Sequence, residues 1–296
     1  MHAVGSDTTM PSSLKRKGMK MHDVVANGAA IPALGMGTWT LEGDQCANLV
    51  AHALEIGYRH VDTAAMYGNE EAVAEGLKSS GVSRDEVFVT TKVWWTDIAP
   101  GALEKSAEAS LKRLGLDAVD LLLIHWPNPR IPLEGSIRAL NATKSAGLAR
   151  HIGVSNFTTG LLRQAISLSD APLVANQVEN HPFLDQSKVH DACRAAGMAM
   201  VSYCPLFRGQ ALAGHSVLAD AAHRHGKSPA QVVLRWHVQQ DSIVAIPRTT
   251  KKERLAENAA IFDFALSAGE MRAISALSRA NDRICDYDFS PAWDAA

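Results

Sequence analysis

Strand-like and helix-like segments alternate along almost the whole of this chain, and that alternation restricts the possible folds more than any other feature. The predicted strands cover residues 33–38, 58–62, 87–92, 119–125, 150–154, 173–178, 198–202 and 243–246. Strict alternation implies parallel pairing, and eight repeats imply closure into a barrel. We therefore predict an α/β protein with a single (β/α)8 TIM barrel, with an open doubly wound sheet as the alternative.

Helical spacing of apolar residues predicts the connections between these strands. Asp44 is the expected cap of the first helix, and Ser228-Pro229 is typical of a helix start. The other predicted helices are 69–80, 101–114, 133–146, 158–168, 186–196, 216–225, 229–240, 251–259 and 269–278. Two of these precede the eighth strand and one follows the barrel, so extra helices are expected at both places.

The segment before the first barrel strand predicts a β-hairpin. Asn27-Gly28 separates the runs 21–26 and 29–34, and this dipeptide favours a type I′ turn. Gly35-Met36-Gly37 follows, but a dinucleotide fingerprint would need a third glycine where Thr40 stands. A Rossmann phosphate loop is therefore excluded at this position.

Length, charge and cysteine usage set further bounds. A chain of 296 residues suits one barrel, so we predict a single domain over residues 19–296 after a flexible leader at 1–18. The net charge of −2 gives no electrostatic case for nucleic acid. No apolar run is long enough for a membrane partner. The four scattered cysteines have no metal-ligand spacing, which indicates a reducing cytoplasm. We expect a monomer without a bound metal.

Polar or glycine-rich residues stand at the carboxyl ends of the predicted strands, the face on which such barrels carry their active sites. These residues are Gly37-Thr38, Asp62, Lys92, His125, Ser155-Asn156, Gln177, Tyr203 and Arg248. An acid, a lysine and an imidazole close to the phenol of Tyr67 suit acid–base chemistry. The structural alternatives are a helix cap at Asp62, a rim-packed Tyr67, a buried Asp62–Lys92 ion pair and a core histidine at His125.

Several motifs together resemble the aldo-keto reductase family, from Met21 to Trp293. They are Asp62-Thr63-Ala64 with Tyr67 and Asn69-Glu70, Leu114-Gly115-Leu116-Asp117, Ile124-His125-Trp126-Pro127, Gly153-Val154-Ser155-Asn156-Phe157, Asn176-Gln177-Val178-Glu179, and Ile246-Pro247 with Arg254 and Glu257-Asn258. The tail from Asn281 to Asp294 most resembles bacterial members similar to 2,5-diketo-gluconate and methylglyoxal reductases.

This resemblance implies NADPH-dependent reduction of aldehydes and ketones to alcohols by hydride transfer. It makes Tyr67 the proton donor, with a pKa lowered by Lys92, and it makes Asp62 the group that holds Lys92. It assigns His125 to orienting the substrate carbonyl. The alternatives are a non-catalytic cofactor-binding or structural protein on the same fold, and a Schiff-base enzyme that uses Lys92.

The resemblance also implies the groups around NADP(H). The expected cofactor residues are Gly37, Thr38, Asp62, Ser155, Asn156, Gln177, Tyr203, Pro205, Leu206, Arg248, Thr249, Arg254, Glu257 and Asn258. Tyr203 is expected to stack on the nicotinamide, and the residues at 155, 156 and 177 to hold its carboxamide. The basic segment at 248–254 suits the 2′-phosphate. The family usually has lysine where this chain has Arg248.

The expected substrate pocket is walled by Trp39, Trp94, His125 and Trp126, with Trp95 packed outside it. The segment 127–133 and the C-terminal tail are short. We therefore expect an open pocket suited to small or polar carbonyl compounds.

Overall fold

The computed structural model describes residues 21–209, 212, 214–279 and 282–294. The leader expected at residues 1–18 lies outside these ranges. Within them, no helix is long and apolar enough to cross a bilayer.

A β-hairpin precedes the barrel, as predicted. Strands β1 (Asp23–Ala26) and β2 (Ala29–Pro32) pair antiparallel, with Ala26 opposite Ala29. Asn27 and Gly28 have φ values of 44° and 89°, the two positive angles that a type I′ turn requires. The Asn27 side chain donates hydrogen bonds to Leu173 O at 2.8 Å and Ala196 O at 3.0 Å. These bonds attach the hairpin to the end of the barrel at which the strands begin.

Eight parallel strands follow, each paired with the next in chain order. They are β3 (Met36–Gly37), β4 (His60–Asp62), β5 (Phe88–Val93), β6 (Val119–Ile124), β7 (Ala149–Ser155), β8 (Leu173–Glu179), β9 (Ala199–Tyr203) and β10 (Ile243–Ala245). The sheet closes where Gly35 N donates to Ala245 O at 2.8 Å and Ala245 N donates to Ala33 O at 2.9 Å. The predicted (β/α)8 barrel is therefore confirmed. The first strand of its ladder is shorter than the predicted run 33–38.

Helices surround the barrel and bury their apolar sides against it. They are α1 (Gly43–Glu55), α2 (Glu70–Ser79), α3 (Ala102–Leu114), α4 (Leu133–Ser145), α5 (Thr159–Leu168), α6 (Ser187–Ala195), α7 (Ser216–His225), α8 (Pro229–Val238), α9 (Lys252–Ala259) and α10 (Ala268–Ser275). Helices α7 and α8 lie before β10, and α10 follows the barrel, as predicted.

Two predicted helix caps had different outcomes. Ser228 caps α8, since its hydroxyl accepts from Gln231 N at 3.3 Å and Pro229 fills the first helical position. The prediction that Asp44 caps α1 is wrong. Glu42 occupies the cap position without a side-chain hydrogen bond, and Asp44 lies in the first turn. There its carboxylate is close to the positive end of the helix dipole, which also favours an acid.

Candidate active site

Asp62, Lys92 and Tyr67 meet at the carboxyl end of two adjacent strands. Asp62 is the last residue of β4, and Lys92 is the next-to-last residue of β5. A single 3-10 turn, Ala65–Tyr67, carries the phenol back over the strand ends. Lys92 Nζ lies 2.6 Å from Asp62 Oδ1, 2.8 Å from Thr63 O and 3.3 Å from the Tyr67 hydroxyl. The three side chains that the sequence predicted as one network are in direct contact.

Burial controls the charges in this network. It lowers the pKa of Lys92, although the ion pair with Asp62 opposes that change. Burial also raises the pKa of the Tyr67 hydroxyl well above its usual value, and the negative charge of Asp62 raises it further. The expectation that Lys92 lowers this pKa is therefore wrong for this structure, because burial and then the charge of Asp62 raise it. The half-buried phenol keeps its proton at neutral pH.

His125 lies directly after β6 and beside Tyr67. Its ring centroid is 5.7 Å from that of Tyr67 and 5.1 Å from that of Trp94, in edge-to-face contacts. Burial lowers the pKa of His125 well below its usual value, and the charge of Lys92 adds to the effect. Nδ1 is buried and has no hydrogen-bond partner in the described part of the chain. An unsatisfied ring nitrogen distinguishes His125 from a fully hydrogen-bonded core histidine.

A second group of polar side chains continues from Asp62 around the barrel mouth. The Gln177 amide donates to Asp62 Oδ2 at 2.7 Å, and the Ser155 hydroxyl donates to Gln177 O at 2.8 Å. The Tyr203 hydroxyl donates to Asn156 Oδ1 at 2.8 Å, and Asn156 Nδ2 donates to His125 O at 2.9 Å. The residues expected to face a nicotinamide are therefore adjacent to the catalytic candidates.

Gly37 and Thr38 lie on the opposite side of Asp62. The Thr38 hydroxyl donates to Asp62 O at 3.0 Å and is fully buried. A Cβ at Gly37 would lie 2.9 Å from Ile246 O, so only glycine fits where β3 approaches the end of β10. These contacts position the strand ends.

The basic segment after β10 presents cations to solvent. Arg248 and Arg254 are exposed, and the Arg248 guanidinium donates to the Thr40 hydroxyl. Thr249 Oγ1 accepts from Lys251 N at 3.1 Å, just before α9 begins. Two guanidinium groups beside a helix N-terminus fit a phosphate group.

The remaining expected cofactor residues have contacts within the protein. The Glu257 carboxylate accepts from the Ser228 hydroxyl, which links α9 to the start of α8, and Asn258 is buried. Pro205 O accepts a hydrogen bond from the ring of His237 at 3.2 Å. Leu206 packs against the core. Of these residues, Pro205 and Leu206 lie two and three positions after Tyr203, and Glu257 and Asn258 belong to α9.

The C-terminal tail, residues 282–294, contributes to the predicted tryptophan wall. Phe289 stacks on Trp95 with ring centroids 4.9 Å apart and makes edge contacts with Trp94 at 5.7 Å and Trp126 at 5.4 Å. Trp95, expected outside the pocket, therefore joins the same aromatic cluster through Phe289. Trp39 stands apart, 37% exposed, beneath the guanidinium of Arg208.

Sequence reasoning missed the groups that support this site. Glu70 is buried and accepts from Thr91 Oγ1 at 2.6 Å and from Arg113 Nη2 at 2.6 Å, behind Lys92. Glu179 accepts from Ile284 N at 2.6 Å and Cys285 N at 2.8 Å, which anchors the tail. The available signal was their position, since Glu70 begins α2 and Glu179 ends β8, where a buried carboxylate needs partners.

The geometry bears on two kinds of chemistry, metal binding and Schiff-base formation. The described residues contain no group of histidine, cysteine and carboxylate side chains that could hold a metal ion. Lys92 makes hydrogen bonds to Asp62, Thr63 and Tyr67. All three hydrogens of its ammonium are therefore used in hydrogen bonds within the protein, which disfavours a Schiff base with a substrate carbonyl.

The chain is similar to several known proteins. Residues 33–279 match the model of the Aldo/keto reductase family. The chain is 42% identical over 268 residues to methylglyoxal reductase DkgB of Salmonella typhi, covering 89% of this chain and 99% of that protein. A crystal structure described as a 2,5-diketo-D-gluconic acid reductase B superposes with a TM-score of 0.91 at 46% identity, covering 94% of this chain and 99% of the other. The Bombyx mori aldo-keto reductase in complex with NADP has a TM-score of 0.83 at 34% identity, covering 90% and 95%.

Proposed function

Since the chain belongs to the aldo-keto reductase family, we propose that it reduces small or polar aldehydes and ketones to alcohols with NADPH, with Tyr67 as the proton donor. The predicted enzyme class, an NADP-dependent oxidoreductase, follows from the family. The proton donor, the roles of single residues and the substrate class are our proposals.

The observation that carries the mechanism is the contact of Lys92 Nζ with both Asp62 Oδ1 at 2.6 Å and the Tyr67 hydroxyl at 3.3 Å. A carbonyl oxygen that gains negative charge during reduction needs a proton and a nearby positive charge. Tyr67 retains a proton to give, and Lys92 stabilises the phenolate that results. The neutral His125 ring donates a hydrogen bond that orients and polarises the same oxygen.

The chain's side chains also fit NADP(H), which supplies the hydride when bound. Tyr203, Asn156, Gln177 and Ser155 lie beside Asp62 at the barrel mouth, where they would hold the nicotinamide. Arg248, Thr249 and Arg254 would hold the 2′-phosphate, because their guanidinium and hydroxyl donors match that anion. The fit rests on the chemistry of these donors and on their shared position at the carboxyl ends of the strands.

The proposed substrate class rests on the wall of the site and on the relatives. The names of two similar proteins refer to methylglyoxal and 2,5-diketo-D-gluconic acid, which are polar dicarbonyl compounds. The aromatic cluster of Trp94, Trp126 and Phe289 adjoins His125 through the Trp94 ring. We infer a site for a compact carbonyl compound.

The function is tested by following NADPH oxidation with purified protein across a panel of methylglyoxal, glyoxal, diketo acids, aldoses and aromatic aldehydes. We expect turnover with the small dicarbonyl compounds and weaker activity with bulky aromatic ketones. NADPH binding without oxidation by any compound would instead favour the non-catalytic alternative.

Three further sequence predictions stand as proposals: one domain over residues 19–296, a monomer, and a cytoplasmic location. All four cysteines are free thiols, as a reducing compartment requires.

A further inference from the structure

A fully buried histidine on α8 hydrogen-bonds the loop that follows Tyr203, and the proposed mechanism gives it no role. His237 Nε2 lies 3.2 Å from Pro205 O, and His237 Nδ1 lies 3.5 Å from Asn180 Nδ2. A carbonyl oxygen can only accept a hydrogen bond, so Nε2 carries the proton and Nδ1 accepts from the Asn180 amide. Burial lowers the pKa of His237 to about 3, which keeps the ring in this neutral form.

Asn180 connects this histidine to the strands of the barrel. It directly follows β8, and its Nδ2 also donates to Ser202 Oγ in β9 at 2.9 Å. The backbone N of Asn180 donates to Tyr203 O at 3.2 Å. Asn180, Ser202 and His237 are all buried. Their hydrogen bonds therefore hold the backbone carbonyls of Tyr203 and Pro205 from inside the protein.

The loop held in this way has an unfavourable backbone conformation. Cys204, Phe207 and Arg208 have φ values of 48°, 49° and 52°, in the left-handed region that residues other than glycine rarely adopt. Such a backbone persists only where the surrounding contacts determine it, and it is concentrated at functional sites. The hydrogen bond from His237 reaches Pro205, which lies between the two strained parts of the loop.

The same hydrogen bond determines where the next backbone donor points. The peptide that joins Pro205 to Leu206 is trans, and the C=O and N–H of a trans peptide point in opposite directions. Because Pro205 O points at His237 on α8, the Leu206 N–H points away from that helix. Within the described part of the chain, this N–H donates no hydrogen bond. It therefore remains available to an anion, which backbone N–H groups in turns bind well.

The proposed cofactor contains an anion that suits this donor. Tyr203 belongs to the residues proposed at the nicotinamide, and Arg248 and Arg254 belong to those proposed at the 2′-phosphate. In NADP(H), a pyrophosphate links the nicotinamide ribose to the adenosine that carries the 2′-phosphate. The loop at 204–209 directly follows Tyr203, so its backbone N–H groups suit that pyrophosphate.

We propose that His237 and Asn180 are positioning residues for NADP(H), which hold the Pro205–Leu206 peptide so that the Leu206 N–H binds the pyrophosphate. This inference rests on the cofactor part of the proposed function and not on the carbonyl substrate. Both side chains act through the backbone of the loop. Because NADPH and NADH share the pyrophosphate, loss of this support should weaken both cofactors equally, unlike loss of Arg254.

The test titrates wild type and His237→Phe with NADPH and with NADH, followed by tryptophan fluorescence. Phenylalanine fills a similar volume but donates no hydrogen bond, so the variant should bind both cofactors about tenfold more weakly. Adenosine 2′-monophosphate, which lacks the pyrophosphate, should bind to both proteins equally well. The KM for NADPH should rise by the same factor, while kcat at saturating NADPH should change by less than about twofold.

Matched variants separate positioning from general stability. His237→Gln supplies an amide N–H in place of Nε2–H, so its cofactor affinity should be close to that of wild type. Asn180→Ala removes the hydrogen bond to Nδ1 and should give a smaller loss with the same pattern, and it carries the test if His237→Phe does not fold. Ile274→Val removes a buried methyl from α10, so it should lower stability without changing the affinity for either cofactor.

Three results would each overturn the proposal. They are unchanged NADPH affinity in His237→Phe, an equal loss of affinity for adenosine 2′-monophosphate, and no recovery in His237→Gln. Because binding is measured without a carbonyl compound, these results do not depend on which substrates the enzyme reduces. Wild-type protein that binds no NADPH would overturn the proposed function as well, and that outcome is recognised without any variant.

Discussion

The side-chain amide of Gln177 donates a 2.7 Å hydrogen bond to Oδ2 of Asp62, while Lys92 Nζ binds the other carboxylate oxygen at 2.6 Å. Both oxygens of this buried acid therefore have partners. Such pairing compensates the cost of removing a carboxylate from water. It also holds Lys92 at the distance from which it reaches the Tyr67 hydroxyl.

Replacing Tyr67 with phenylalanine should lower turnover by about 10²–10⁴-fold, because a positioned general acid contributes about that much. NADPH binding should persist, since the groups proposed to hold it lie elsewhere. Steady-state rates and fluorescence titration of NADPH measure the two effects. Near-normal turnover on every substrate would show that Tyr67 is not the acid.

Replacing Lys92 with methionine should destabilise the protein by about 3–5 kcal/mol, because it leaves the buried Asp62 carboxylate without its counter-ion. Denaturant unfolding measures this change. The double variant Asp62→Asn with Lys92→Met is the matched control, since it removes both charges. It should recover much of the stability but not the turnover. A variant that loses stability yet keeps its single-turnover rate would make the pair purely structural.

Buried histidines predict acid sensitivity. Burial lowers the pKa of His60 and His125, and it lowers that of His237 to about 3. These rings stay neutral in the folded protein but take up protons in the unfolded chain below its pKa of about 6.5. Stability is therefore full above that pH and falls below it, by about 1.4 kcal/mol per pH unit for each histidine.

The variant His237→Gln tests this linkage. Between pH 6.5 and 5 it should lose about 2 kcal/mol less stability than wild type. The reason is that the variant lacks one imidazole that binds a proton in the unfolded chain but not in the folded protein. Denaturant unfolding at both pH values gives the comparison. His223→Gln, which removes an exposed imidazole from α7, is the matched control. Equal losses in wild type and His237→Gln would contradict the role of His237.

Replacing Arg254 with alanine should weaken NADPH binding by about tenfold to hundredfold, because a hydrogen bond to a charged group contributes about 1.5–3 kcal/mol. NADH, which lacks the 2′-phosphate, should bind almost as before. Added salt should erode the wild-type preference, since the arginine is exposed and screened. Titration of NADPH and NADH against wild type and the Arg254 variant gives the test. If the variant loses affinity for both cofactors equally, the segment 248–254 does not discriminate between them.

Chelators should leave turnover unchanged, because the described residues offer no cluster of metal ligands. Turnover is compared before and after dialysis against EDTA. Loss of activity that an added divalent metal restores would overturn the proposed mechanism.

The sequence by itself determined the barrel and the identity of the central residues. Strand and helix periods are local properties, and parallel alternation leaves few ways to bury eight apolar strands, so Asp62, Lys92 and His125 had to converge at one end. Tyr67 was placed by its distance along the chain from Asp62. The hairpin turn and the Ser228 cap were also readable, because each depends on a few adjacent residues.

Only the tertiary structure decided the protonation of the site residues and the contacts between residues far apart in the chain. The pKa of Tyr67 rises rather than falls because of burial and the charge of Asp62, and burial is not a local property of the sequence. The tail reaches the aromatic wall because the distant Glu179 carboxylate binds two of its amides. Contacts between residues far apart in the chain depend on how the closed barrel packs, so the spacing of residues along the sequence does not reveal them.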